Sequence, residues 1–176
     1  MDRRRFLRGA VAGAVWGAAL PASLHASQRK GSQPLSSDVL ALLEKSDFVY
    51  VSPLKRSGDE SRCHGEVWFD WQDDSVVLIT AADRWKARSL EAGLDRARLW
   101  VGNHGRWKGL ISNNERFRKA PSFDARAEAF QDEKVLDRML TSFRKKYPAE
   151  IDRWEPRMRK GHADGSRVLI RYRPLG

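Results

Sequence analysis

One short stretch of the chain brings together a hydroxyl and two cations, residue types that can bind a phosphate. Thr80 is followed six residues later by Lys86 and eight later by Arg88. The hydroxyl can donate a hydrogen bond, and the cations can pair with a doubly charged oxyanion. The segment between them reads as a strand end opening into a helix start, where unpaired backbone N–H groups attract anions. Arg62 can reach in from the neighbouring strand, and Trp68 and Trp85 offer flat faces for a ring to stack on. Residue type alone also permits a plainer reading. Lys86 and Arg88 would be the solvated face of a short helix, Trp68 and Trp85 core or subunit-interface residues, and Thr80 a strand terminus.

Other chemistry finds little local support. His64, His104 and His162 show no zinc-binding spacing such as His-Glu-x-x-His, so no metal motif is expected. Ser52, Ser57 and Ser61 lie near Asp59 and His64, but no Gly-x-Ser-x-Gly elbow presents a nucleophile. No acid/base pair stands out, and no catalytic residue is assigned. Cys63 is the only cysteine, which excludes an intramolecular disulfide. It falls in an apparent strand, where a small core residue is expected.

The elements that must position these residues follow from periodicity. Ser37 is read as the cap of a short helix carrying Val39, Leu40, Leu42 and Leu43. Phe48–Val51 is β-branched and aromatic and predicts a strand. A second strand is predicted from about Arg62 to Trp71, with Arg62, His64, Glu66, Trp68 and Asp70 on one face. Gln72-Asp73-Asp74 turns the chain into a third strand, Ser75 to Thr80. Its unbroken run Val76–Ile79 predicts burial on both sides. A helix from Trp85 to Ala92 stops at Gly93, and Arg98–Val101 makes a fourth strand. A further strand is expected between Gly109 and Lys119.

The last third reads as mostly helical. Val135, Leu136, Met139, Leu140 and Phe143 recur at helical spacing. A second helix follows Pro148, with Ile151, Trp154 and Met158 as its stripe. Ala163-Asp164-Gly165 turns into a final strand, Val168–Tyr172. Short antiparallel strands with a few helices predict an α+β domain built round a small barrel.

The stretch Phe48–Gly102 resembles the pyridoxamine 5'-phosphate oxidase-like family of flavin-binding split barrels. The likeness rests on the strand pair Tyr50–Phe69, the strand end Leu78-Ile79-Thr80 before Ala81-Ala82-Asp83-Arg84-Trp85-Lys86, and the helix leading into Ala97–Val101. In that family a strand-end Thr is followed by a Lys that binds the flavin phosphate, a role the resemblance carries onto Thr80 and Lys86. It implies FMN as cofactor, with a deazaflavin or haem as alternatives, and a homodimer with the cofactor at the subunit boundary. It also implies a redox enzyme acting on a small molecule, or a non-catalytic binding module of the same fold. The oxidase proper has Arg directly before that Lys, where this chain has Trp85. Arg171 and Arg173 are only loose counterparts of its C-terminal substrate-binding residues. True oxidase activity is therefore not implied.

The chain opens Arg3-Arg4-Arg5-Phe6-Leu7-Arg8, which resembles a twin-arginine export signal. An apolar run from Gly9 to Leu24, broken by Pro21, is too short for a membrane span, and Ala26 suits a cleavage point. Residues 1–26 are read as signal peptide, 27–36 as a flexible lead-in and 37–176 as one domain. The expected partner is the twin-arginine translocation machinery, and the expected location is the periplasm or another site reached by that export route, with no permanent membrane span. Cleavage would leave 29 basic and 22 acidic residues, a net charge of +7 against +10 for the whole chain. The two signs are interleaved, which argues against nucleic acid and leaves an anionic cofactor or acidic partner open.

Overall fold

The computed structural model describes residues 35–103 and 115–175. The expected signal peptide, most of the expected lead-in and the greater part of the strand expected at 109–119 lie outside the described residues. Helix α1 (Ser37–Lys45) is capped by Ser36, one residue earlier than expected, whose side chain accepts from the Val39 N–H. Strands β1 (Phe48–Pro53), β2 (Gly65–Trp68), β3 (Asp70–Gln72) and β4 (Ser75–Ala81) follow. Then come α2 (Trp85–Glu91), β5 (Arg96–Val101) and a 3-10 turn (Glu115–Lys119). Strand β6 (Ser122–Phe130), α3 (Glu133–Lys146), α4 (Ile151–Ala163) and β7 (Arg167–Pro174) complete the domain.

The strands form one sheet in the order β2-β1-β5-β6-β7-β4-β3, and every pairing is antiparallel. Its two edges, β2 and β3, are joined in sequence by Phe69 alone. Opposite edges one residue apart require the sheet to curl round almost upon itself. This is the expected α+β split barrel, and Phe69 is its joint. Asp73 and Asp74 turn β3 into β4 with φ of 50° and 52°, the positive pair that a two-residue hairpin demands.

Alternation sorts the side chains. Val49, Val51, Leu99, Val101, Phe123 and Ile170 point into the barrel with Phe69, and Val39 and Leu43 of α1 pack against the same interior. Val77 and Leu169 point outward and are sealed by Leu136, Met139, Leu140 and Phe143 of α3 and by Ile151 and Met158 of α4. The double-sided burial expected for Val76–Ile79 is thus explained, with alternate residues serving two cores. Each fully buried aliphatic contributes about 1.5–3 kcal/mol. On a third surface Phe117 stacks on Tyr50 at 4.6 Å and meets Trp100 edge-on at 5.0 Å.

Three expectations are corrected. The second strand begins at Gly65 rather than Arg62, because Ser61 diverts the chain: its hydroxyl accepts from the Cys63 N–H and donates to the Cys63 carbonyl. Cys63 is consequently exposed, not a core residue. In the described part of 109–119, Glu115–Lys119 forms a 3-10 turn rather than strand, and a strand not expected from sequence follows at Ser122–Phe130.

Candidate functional site

A half-open cavity of about 330 Å³ lies where the ends of β4 and β7, the start of α2 and the helices α3 and α4 converge. Its apolar wall is built by Phe48 and Trp68 from the paired strands β1 and β2, Phe143 from α3, and Trp154 and Met158 from α4. Trp68 is held flat against Tyr147, ring centroids 4.2 Å apart and 5° from parallel, and edge-on to Phe143 at 5.8 Å. Tyr147 is in turn fixed to the barrel joint. Its hydroxyl donates to the Asp47 carbonyl at 2.5 Å and accepts from the Phe69 N–H at 3.3 Å. Burial pushes the Tyr147 phenol well above its ordinary pKa, so it remains a neutral donor.

Another part of the lining is cationic. Thr80 and Ala81 end β4, and Arg84 and Lys86 open α2. Arg167 begins β7 directly across from Ala81. Its aliphatic stem lies so close to α4 that a Cβ on Gly161 would fall 2.7 Å from its Cγ and Cδ. Only a glycine permits that approach, and it keeps Arg167 beside the cavity. Three cations therefore line the cavity against two carboxylates, Glu66 and Glu150. Glu66 accepts from the Tyr50 hydroxyl at 2.5 Å.

Among the residues singled out from sequence, the fold brings Trp68, Thr80 and Lys86 to one cavity. Trp85 is half-buried against the barrel core, and its ring lies 3.5 Å from where a Gly65 Cβ would sit. From there it supports Lys86, whose amine lies 4.3 Å from the Trp85 ring centroid. Arg62 and Arg88 are exposed and lie outside this lining. The backbone amides at the strand end are partly spent: the Ala82 N–H bonds to the Ser166 carbonyl and the Arg84 N–H to the Ala81 carbonyl. Positive character in this part of the lining thus comes mainly from side chains.

Sequence reasoning missed Arg84, Arg167 and Glu150. Arg84 lies in the loop between Thr80 and Lys86 but carries no type-specific signal. Arg167 follows the Asp164-Gly165 turn, and only the β4–β7 register aligns it with Ala81. The Trp154 and Met158 stripe was visible, but its exposure to a cavity was not. Among the described residues, no group of three or more His, Cys, Asp or Glu could hold a metal ion. No described helix is long and apolar enough to cross a membrane.

No family model matches the chain, and no curated protein matches it. Solved structures do. HutZ, a haem storage protein from Vibrio cholerae, aligns over 82% of this chain and 92% of its own, at 12% identity and a TM-score of 0.52. A conserved hypothetical protein from Mycobacterium tuberculosis aligns over 84% and 88%, at 17% identity and a TM-score of 0.51. An FAD-binding protein from Mesorhizobium loti aligns over 81% and 91%, at 15% identity and a TM-score of 0.50. At such identities the shared property is the fold, and that fold is the split barrel implied by the resemblance to the pyridoxamine 5'-phosphate oxidase-like proteins.

Proposed function

We propose that this chain is an exported split-barrel oxidoreductase that binds a phosphorylated flavin, FMN or a deazaflavin, and acts on a small molecule. The observation that carries the reading is the cavity itself, which aromatic and cationic side chains line together. Its 330 Å³ lies at the lower end of the roughly 300–1,000 Å³ usual for ligand pockets, and its half-open mouth leaves part of a cofactor outside. The residues fit such a group. Lys86, Arg84 and Arg167 would pair with a phosphate and Thr80 would donate to it, while Trp68, immobilised by Tyr147, would orient a ring system. Trp85 would hold Lys86 in place. Arg62 and Arg88 would face a second subunit, completing the site at the boundary of a homodimer. A bound flavin supplies hydride chemistry, and the protein supplies binding and orientation.

A second reading is a non-catalytic module for flavin or haem. It draws on the likeness to HutZ and on two half-buried imidazoles, His64 and His162, each with a buried nitrogen that has no hydrogen-bond partner.

The test is to purify the protein from an export-competent host, record its absorption spectrum and identify any released ligand by mass. A colourless protein that binds neither FMN, deazaflavin nor haem at micromolar concentration would sink both readings. Turnover with NAD(P)H or reduced deazaflavin separates them, since a module binds without passing electrons on. Export is tested by fractionation: the R3K/R4K variant should stay in the cytoplasm, and equal periplasmic recovery would remove the export claim.

A further inference from the structure

A second cavity, of about 380 Å³, opens on the other side of the barrel joint and shares no lining residue with the first. Leu43 and Trp71 give it apolar walls. Lys146 of α3 and Asp70 of β3 face it together, with Ser142 one turn before Lys146. The Lys146 amine is tucked over the Phe69 ring, 3.6 Å from its centroid, and donates to the Phe69 carbonyl at 3.3 Å. The Asp70 carboxyl is buried, and Ser142, the Trp71 backbone and the Lys146 charge all act on it. An amine and a carboxyl thus meet at one cavity.

The geometry points to Lys146 as a nucleophile that captures a small aldehyde with an apolar body as an imine, with Asp70 as its acid. The amine nitrogen attacks the carbonyl carbon, giving a carbinolamine. The Asp70 carboxylate, having taken the proton that freed the amine, returns it to the hydroxyl, which leaves as water, so that a protonated imine remains beside the carboxylate. One water is released and no electrons are exchanged. A nucleophilic amine must be neutral, and desolvation in an apolar setting favours that form. Burial lowers the Lys146 pKa to about 8, although Asp70 and Asp47 oppose the shift. Burial also raises the Asp70 pKa, against Ser142, Lys146 and Arg138. Glu44 from α1 and Lys145 from α3 are the other charged groups on this cavity.

Competitive labelling of the purified protein tests this. It would be treated with propanal and cyanoborohydride at pH 7, and every lysine followed by peptide mass mapping. From its neutral fraction, Lys146 should be alkylated about tenfold or more faster than exposed Lys134 and Lys160. Equal or slower labelling of Lys146 overturns the proposal, and this comparison is made within the parent protein. Asp70→Asn should slow the aldehyde reaction at Lys146 but not its acylation by succinimidyl acetate, which needs no dehydration. Loss of both reactions alike would reduce Asp70 to a structural role and overturn its assignment as the acid.

Discussion

The two outer faces of the barrel are built differently. Over β4 and β7, aliphatic residues of α3 and α4 seal Val77 and Leu169 completely, and the same layer then opens at the strand ends into the aromatic and cationic cavity. Over β1 and β5, Tyr50, Trp100 and Phe117 pack together, bordered by a charge network. There Arg98 grips Asp124 in a bidentate pair at 2.7 and 3.2 Å, and Glu60 bridges Arg98 to Arg118. On this face cations are matched by anions, whereas the cavity carries more cations than carboxylates. The contrast separates stability from binding. Paired charges and filled packing hold the fold, and charge beside unfilled space is where a ligand can gain affinity.

The largest expected break lies in the sealed layer. Leu140→Ala should cost about 2–5 kcal/mol, read as a lower urea midpoint with an unchanged slope. A loss below ~1 kcal/mol would mean that α3 is not the lid of this core. Tyr147→Phe should come next, at about 1–3 kcal/mol, because it leaves the Phe69 N–H and Asp47 carbonyl short of a buried partner. Since Tyr147 also supports Trp68, tryptophan fluorescence should change with it, and an unchanged spectrum would break the link between joint and cavity.

Gly161→Ala probes the boundary between the two roles. The new methyl must displace the Arg167 stem, so a phosphorylated cofactor should bind several-fold more weakly while the melting midpoint moves little. Unaltered affinity would remove Arg167 from the site. Lys86→Ala should weaken the same ligand about fivefold, or ~1 kcal/mol, with stability within about 0.5 kcal/mol of the parent. Equal affinity would strike Lys86 from the site.

The smallest effect is a pH slope. With its folded pKa near 8, Lys146 binds fewer protons than in the unfolded chain from about pH 8 up to the ordinary lysine value near 10.4. This destabilising contribution is fully present below pH 8 and fades as pH rises through that window. Denaturation midpoints should therefore rise from pH 8 to 10 in the parent relative to Lys146→Met, and parallel curves would show that the amine is not desolvated.

Much of this was legible in sequence, and the failures have physical causes. Strand β4 declared itself because Val76–Ile79 is apolar without interruption, and α3 because its stripe repeats at helical spacing. Strand β6 escaped, although Phe123, Ala125 and Ala127 alternate with Asp124, Arg126 and Glu128, because alanine favours helices and is depleted in strands. Its inward alanines are buried in a crowded barrel, which no local propensity reports. Cys63 was misplaced because a serine side chain two residues away outcompeted the ladder.

By itself, the sequence determined an α+β domain built round a small barrel, since alternation and turn residues are local properties, and its resemblance to the flavin-binding split barrels brought forward Thr80 and Lys86 beside Trp68. Tertiary structure alone decided that these three share a cavity while Arg62 and Arg88 lie outside it. It also added Arg84, Arg167 and Trp154, and it set Lys146 beside Asp70. Those choices depend on the closure of the sheet at Phe69 and on the β4–β7 register, which join residues some eighty positions apart. Contacts of that range follow from packing the whole chain and leave no trace in local spacing.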